Sequence, residues 1–386
     1  MPPRLTYPVE PPKRSGLEDS SNRLSQNASP AVKLLIVNWK HPSDPDAGGA
    51  ERYLARLAEL WSSEGQVVTM LVPRPAASNS DGRRPFEIIG AGSRRSVFRD
   101  ALRFLKQHGD RYDRVLESVS TRPFFTHRVV GDRAFALYHQ MAIDVWNIEF
   151  PFPVGLVGRY LVEPHWVRGM RGARVIAVSR STKDDLQRYG VNAIEVIPPG
   201  CDAVGKSPPH HQSSAGPRLL FMGRLVRQKR APDAIEAFRF LQQTWPDATL
   251  DVIGDGYLLR SLEARRVANV AIHGFVSEED KDRLLMDADL VLIPATREGW
   301  GITAIEAAAH GVPVVAYDVG GLRDSVVDGE TGLLCRPDPV AMGQAASGLL
   351  GNAEERRSMA SAAVAWAAQF TWERAARAVM RVLAGA

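Results

Sequence analysis

The chain has 386 residues, 45% hydrophobic and 24% charged, with 48 Lys and Arg against 44 Asp and Glu. That length suits two domains, and the composition is that of a folded globular protein, not a disordered or fibrous one. The formal charge of +4 permits an anionic partner without choosing among nucleotide, nucleic acid and phospholipid, and two isolated cysteines, Cys201 and Cys335, indicate neither a disulfide framework nor a zinc site.

Residues 1–30 are rich in Pro and Ser and carry no apolar segment, which predicts a disordered tail and argues against a signal peptide. From Val32 onward apolar runs alternate with amphipathic stretches. KLLIVNWK, VVTMLVP, RAFALYHQ and RVIAVS read as strands, and 51–62 as a helix between the first two. Over 94–107, Arg95, Arg99, Arg103 and Lys106 recur on one side of a helix whose other side is Val97, Phe98, Ala101, Leu102 and Leu105. Such a helix either packs its apolar side into the core and leaves a basic face in water, or rests on anionic lipid and brings the chain to a lipid-linked acceptor. The core-facing reading is preferred.

Residues 203–217 are rich in Pro, Ser and Gly and read as a connection between two halves; His210 and His211 within it have no partner at metal-ligand spacing. A second strand series follows: RLLFMGR, ATLDVIG, VAIHGF, ADLVLIPA, VPVVAYD and TGLLCRP. Residues 371–383 form a last helical pattern. Repeated βα units imply parallel sheets, so the predicted fold is α/β, two Rossmann-like domains facing across a cleft. No run of 18 apolar residues occurs, so no spanning helix is expected.

In an open parallel sheet, ligands sit at the carboxyl ends of the strands, and the loops there hold the chemistry. After ADLVLIPA comes REGWGITAIEAAAHG, where Gly299-Trp300-Gly301 opens a predicted helix over 302–309. Orphan N–H groups at such an end attract phosphate, and glycines let a ligand approach the backbone. Glu298 and Glu306, eight positions apart, either grip sugar hydroxyls on either side of that phosphate or are ordinary acids, one favoured by the helix dipole and one solvated. Gly48-Gly49 precede another helix and offer a second cradle. Arg224 and Lys229, just past RLLFMG, are either cations that neutralise a diphosphate or ordinary surface charge beside Arg227 and Arg230, and no Asp-x-Asp pair stands where a metal-bridged donor would need one. His139 and Gln140 end RAFALYHQ and face the cleft.

These residues stand in segments that resemble, in order, the retaining glycosyltransferases of family four: GGAER (48–52), VIAVSRSTKDDL (175–186), IPPGCD (197–202), FMGRLVRQK (221–229), VIGDG (252–256), EGWG…EAAAHGVPVVA and DGETGLL (328–334). The resemblance covers nearly the whole chain from Val32. It implies the two-domain glycosyltransferase B architecture, with an acceptor domain over 31–202, a donor domain over 218–370, and residues 371–386 crossing back onto the first. It also implies a hexosyltransferase-class enzyme that uses a nucleoside-diphosphate sugar, without metal or other cofactor. Glu298 and the backbone of Gly299, Trp300, Gly301 and Ile302 would hold the transferred sugar, Glu306 the ribose hydroxyls, Arg224 and Lys229 the diphosphate. The Gly48-Gly49 loop would face the pyrophosphate and the acceptor, and His139 the reacting sugar.

The acceptor so implied carries a hydroxyl and is glycan, lipid-linked or small; its choice would rest on the loops at 76–95 and 141–158, where Trp146, Phe150 and Phe152 offer rings either for stacking or for core packing. The expected setting is cytoplasmic, with contact at the inner face of a membrane as an added possibility through 94–107. Same-face displacement fits retention better than a covalent intermediate, because it needs alignment and charge stabilisation and no dedicated nucleophile. The alternatives are a sugar phosphorylase or nucleotide-sugar epimerase on the same architecture, or a non-catalytic basic protein that grips nucleic acid or lipid. The absence of an aromatic-interleaved basic run argues against nucleic acid as the partner.

Overall fold

The computed structural model describes residues 31–44, 47–74, 84–202 and 216–385. The expected N-terminal tail, residues 203–215 with His210 and His211, and part of the 76–95 loop lie outside the described residues.

Two parallel sheets organise the chain. The first contains β1 (Lys33–Val37), β2 (Val67–Val72), β3 (Glu87–Gly90), β4 (Arg114–Val119), β5 (Ala134–Tyr138), β6 (Arg174–Ala177) and β7 (Ile194–Val196), in the order β3-β2-β1-β4-β5-β6-β7. The second contains β8 (Arg218–Met222), β9 (Thr249–Ile253), β10 (Val270–Gly274), β11 (Leu290–Ile293), β12 (Val314–Tyr317) and β13 (Gly332–Cys335), in the order β10-β9-β8-β11-β12-β13. The strands are apolar runs because helices cover both faces: Leu35, Ile36 and Val37 of β1, and Leu290, Val291 and Leu292 of β11, are all buried. In each sheet the strand order reverses beside the first strand, between β1 and β4 and between β8 and β11. Loops leaving such a pair diverge and open a crevice. That crevice is where the residues singled out from the sequence fall.

Three strands lack the apolar signature. β4 lies at the centre of its sheet, yet its sequence RVLESV is interrupted by Glu117 and Ser118. β3 is an edge strand, half in water, and β7 has three residues. The helix Val97–His108 buries Val97, Ala101 and Leu105, with Phe98, Leu102 and Phe104 packed against the same cluster. Its apolar side is thus spent on the core, while Arg99, Arg103 and Lys106 face water. No helix among the described residues is long and apolar enough to cross a membrane.

The helix Trp372–Ala384 returns to the first sheet's side of the molecule and lies on the helix Gly49–Ser63. Trp61 Nε1 donates to the carbonyl of Ala376 at 3.1 Å, and the rings of Tyr53 and Trp372 meet at 5.6 Å.

Candidate active site

β8 delivers its chain to Gly223 and Arg224, and a single 3-10 turn, Arg227–Lys229, follows. Lys229 Nζ forms an ion pair with Glu298 Oε1, which arrives from the loop after β11. Gly321 makes room for that loop: its φ is +84°, and a Cβ there would lie 2.2 Å from the carbonyl oxygen of Glu298. Gly301 takes φ +91° at the head of the helix Ile302–Ala309, a conformation that costs an L side chain strain. Gly301, Ile302 and Thr303 line the cleft, so the helix opens its positive end onto it.

The first sheet supplies the opposite wall. Gly48 N–H donates to Glu51 Oε2 at 2.8 Å and so caps its own helix, while a Cβ on Gly49 would lie only 3.1 Å from Ile302 Cδ1. The glycine pair therefore brings the backbone against the donor-side helix, with the Gly48 amide already engaged. His139 follows β5 and is buried, its Nε2 3.0 Å from Ser118 Oγ. Burial pulls its pKa down to about 4, so the ring is neutral near pH 7. The carbonyl oxygen of His139 touches the other half so closely that a Cβ on Gly299 would sit 2.0 Å from it.

All the residues predicted for the site except Glu306 line this one cleft of about 450 Å³. The Trp300 ring is turned inward against Phe370, at 5.0 Å, which leaves little of the indole for a ligand. Glu306 lies further along its helix, 8% exposed, where it accepts from Lys281 Nζ at 2.9 Å and Arg52 Nη1 at 3.2 Å.

The sequence reading missed the buried acids that shape the loops. Glu163 accepts from the N–H of Ala142 at 2.5 Å, the N–H of Ile143 at 2.7 Å and Trp146 Nε1 at 3.1 Å. Glu117 accepts from the N–H of Phe124 at 2.6 Å and from Thr126, through its N–H at 3.3 Å and its hydroxyl at 3.2 Å. Burial nevertheless pushes the Glu117 carboxyl up to about 7. These two carboxylates fix the loops after β5 and β4, which wall a second cavity of about 800 Å³ beside the cleft, lined by Trp39, Phe98, Arg122, Trp146, Phe150 and Tyr257 among others. Trp146 and Phe150 thus face a cavity, their rings 5.1 Å apart, whereas Phe152 is 83% exposed outside it. A polar residue inside an apolar segment was the available signal for Glu117; for Glu163, nothing local marks the carboxylate as buried.

The two halves match two family models in tandem, Glycosyltransferase Family 4 over residues 47–204 and Glycosyl transferases group 1 over residues 207–366. A glycogen synthase of Mycobacterium tuberculosis is 33% identical, covering 91% of this chain and 94% of its own. A D-inositol 3-phosphate glycosyltransferase of Jonesia denitrificans is 34% identical over 91% of this chain and 95% of its own. Among solved structures, Anabaena HepE in complex with UDP-glucose superposes with a TM-score of 0.68 at 20% identity, covering 92% of this chain and all (100%) of the other. The fold is therefore glycosyltransferase B. Identity of a third over nine-tenths of the chain, on this fold, makes the protein a member of the group 1, family 4 glycosyltransferases.

Proposed function

We propose that the chain moves a sugar from a nucleoside-diphosphate sugar to a hydroxyl acceptor, with retention of configuration and without a metal. The observation that carries this reading is the meeting of Lys229 and Glu298 at the head of the 302–309 helix, with Arg224 in the same cleft. A diphosphate drawn to that helix end takes Lys229 as its counter-ion, and Glu298 is then released to accept from hydroxyls of the transferred sugar. Arg224 is the second cation for the charge that develops on the leaving diphosphate. Two cations and a helix end supply the neutralisation that a divalent ion supplies in other transferases. Glu306, oriented by Lys281 and Arg52, accepts from the ribose hydroxyls. The UDP-glucose bound by HepE supports a nucleotide sugar as donor.

Among the described residues lining the cleft, the carboxylates are Glu51 and Glu298. Glu51 is engaged by Gly48 N–H and Glu298 by Lys229. Neither is disposed as a nucleophile, which favours same-face displacement: the bond from the anomeric carbon to phosphate oxygen breaks, the acceptor oxygen bonds on the same face, and the leaving phosphate oxygen takes the acceptor proton. Neutral His139 hydrogen-bonds the sugar or the acceptor and orients it. The aromatic cavity lined by Trp146 and Phe150 is the place for the acceptor, whose body stacks on those rings.

Calorimetric titration with UDP, GDP, ADP and TDP, each with and without EDTA, tests the donor and the metal together. Selective binding that survives EDTA is expected. With the donor so chosen, Glu298→Gln and Lys229→Ala should each lower turnover by about 10²–10³, the range for loss of one electrostatic contact to a developing charge, with unchanged circular dichroism. Binding of none of the four, or full turnover in both variants, sinks the reading.

A further inference from the structure

The turn that carries Lys229 has no cap of its own. Val226, which precedes it, offers no side-chain hydrogen bond to its first N–H groups. Orphan N–H groups at the start of a helical turn need an acceptor, and a carboxylate is the best one because it also answers the dipole. Both acceptors here come from other elements. Arg227 N–H donates to Tyr257 Oη at 2.8 Å, and Gln228 N–H donates to Glu149 Oε1 at 2.9 Å. Tyr257 in turn donates its hydroxyl to Glu149 Oε2, so one carboxylate terminates both bonds. On its other side the turn is tied down by its own half, where Thr296 N–H donates to the carbonyl of Gln228 at 2.9 Å.

Glu149 belongs to the opposite half of the molecule. It is the last residue of the short helix Val145–Glu149, after β5, and that helix is itself anchored by Trp146 Nε1 on buried Glu163 at 3.1 Å. The cap on the Arg227–Lys229 turn is thus delivered across the cleft from a rigidly held element. Gln228 is 7% exposed, so its N–H has little access to water as a substitute partner.

We propose that Glu149 is a positioning residue that completes the diphosphate grip in trans. By capping the turn between Arg224 and Lys229 from the other domain, it sets those two cations for phosphate only when the cleft is closed around them. This rests on the donor site described above. The carboxylate touches neither donor nor acceptor in this scheme; it acts through the backbone of Gln228 and the hydroxyl of Tyr257. A competing arrangement has the opposite sign. If Glu149 merely occupied N–H groups that phosphate would otherwise take, its removal would tighten binding.

The test is calorimetry on the full chain with UDP, GDP, ADP and TDP. For whichever binds wild type most tightly, Glu149→Ala should raise Kd about tenfold, in line with the loss of one or two hydrogen bonds to a charged acceptor. Glu149→Gln, which retains an oxygen for the Gln228 N–H, should recover part of that loss. Tyr257→Phe should weaken binding in wild type and add nothing in Glu149→Ala, since the two share one network. Thermal midpoints should stay together, which separates positioning from general damage to the fold. Unchanged or tighter binding in Glu149→Ala overturns the proposal, as does full additivity with Tyr257→Phe. A wild-type chain that binds none of the four diphosphates overturns the donor site itself and this inference with it, an outcome distinct from the others.

Discussion

Two buried titratable side chains near the crevice, Glu117 and His139, are displaced from their ordinary pKa values in opposite senses by the same cause, burial. Glu117 is raised to about 7. Between the unfolded value near 4.5 and that folded value, the native chain holds a proton that the unfolded chain has lost. Its contribution to stability is therefore full at low pH and lost as pH rises through 7. His139 is depressed to about 4, so its contribution is present above 6.5 and is lost as pH falls toward 4. A Glu117→Gln variant keeps an acceptor but cannot ionise. Its stability deficit against wild type, measured by urea denaturation, should narrow between pH 5 and pH 8 by an amount on the order of 2–3 kcal/mol. A constant gap would show that the carboxyl titrates normally. His139, neutral near pH 7, suits hydrogen bonding to a sugar and is not charged to serve as an acid.

Among elements, the loop that follows β5 and the loop that follows β11 meet backbone to backbone across the two halves, where Gly299 lies against the His139 carbonyl. The obstacle to a side chain there is backbone, which cannot swing aside. Gly299→Ala should leave each sheet intact yet prop the two halves apart: transfer should fall at least tenfold, and small-angle scattering should report a larger radius of gyration. An unchanged radius with full activity would mean that the loops yield. The sequence revealed this region because its signal is local: an apolar strand, then glycines, then an alanine-rich helix, all within twenty residues of one another in the chain. The same local signal placed Arg224, Lys229 and His139 just past strand ends. It failed wherever a side chain's partner is distant. Arg52 lies in an amphipathic helix like any surface arginine, yet it binds Asp202 at 2.6 Å and Glu306 at 3.2 Å, 150 and 254 positions away. Glu149 and Glu163 were illegible for the same reason, and β4 because its buried acid breaks the apolar run that identifies a strand.

At the scale of the molecule, contacts between the halves are polar and directional. Arg52 reaches Glu306 and Glu278, Asp324 accepts from the N–H groups of Arg180 at 3.2 Å and Ser181 at 3.1 Å, and Arg297 pairs with Asp185. Interfaces of this kind open and close more readily than apolar ones. The exception is the helix Trp372–Ala384, whose Trp372, Ala376, Val379 and Leu383 are buried. Truncation after Phe370 should uncover Trp61 and Tyr53, lower the thermal midpoint by several degrees and speed proteolysis of the first half while sparing the second. Equal protease resistance of both halves would deny the helix that role.

That helix also sets a schedule for biosynthesis. The first half leaves the ribosome with Trp61 lacking its indole acceptor on Ala376, 315 residues downstream. Its cover is made only after the second half, and a stretch of that length between partners makes the contact slow to find. The half that emerges earlier is therefore sealed late, and until residues 372–384 have been made it presents an aromatic face to chaperones and to other nascent chains.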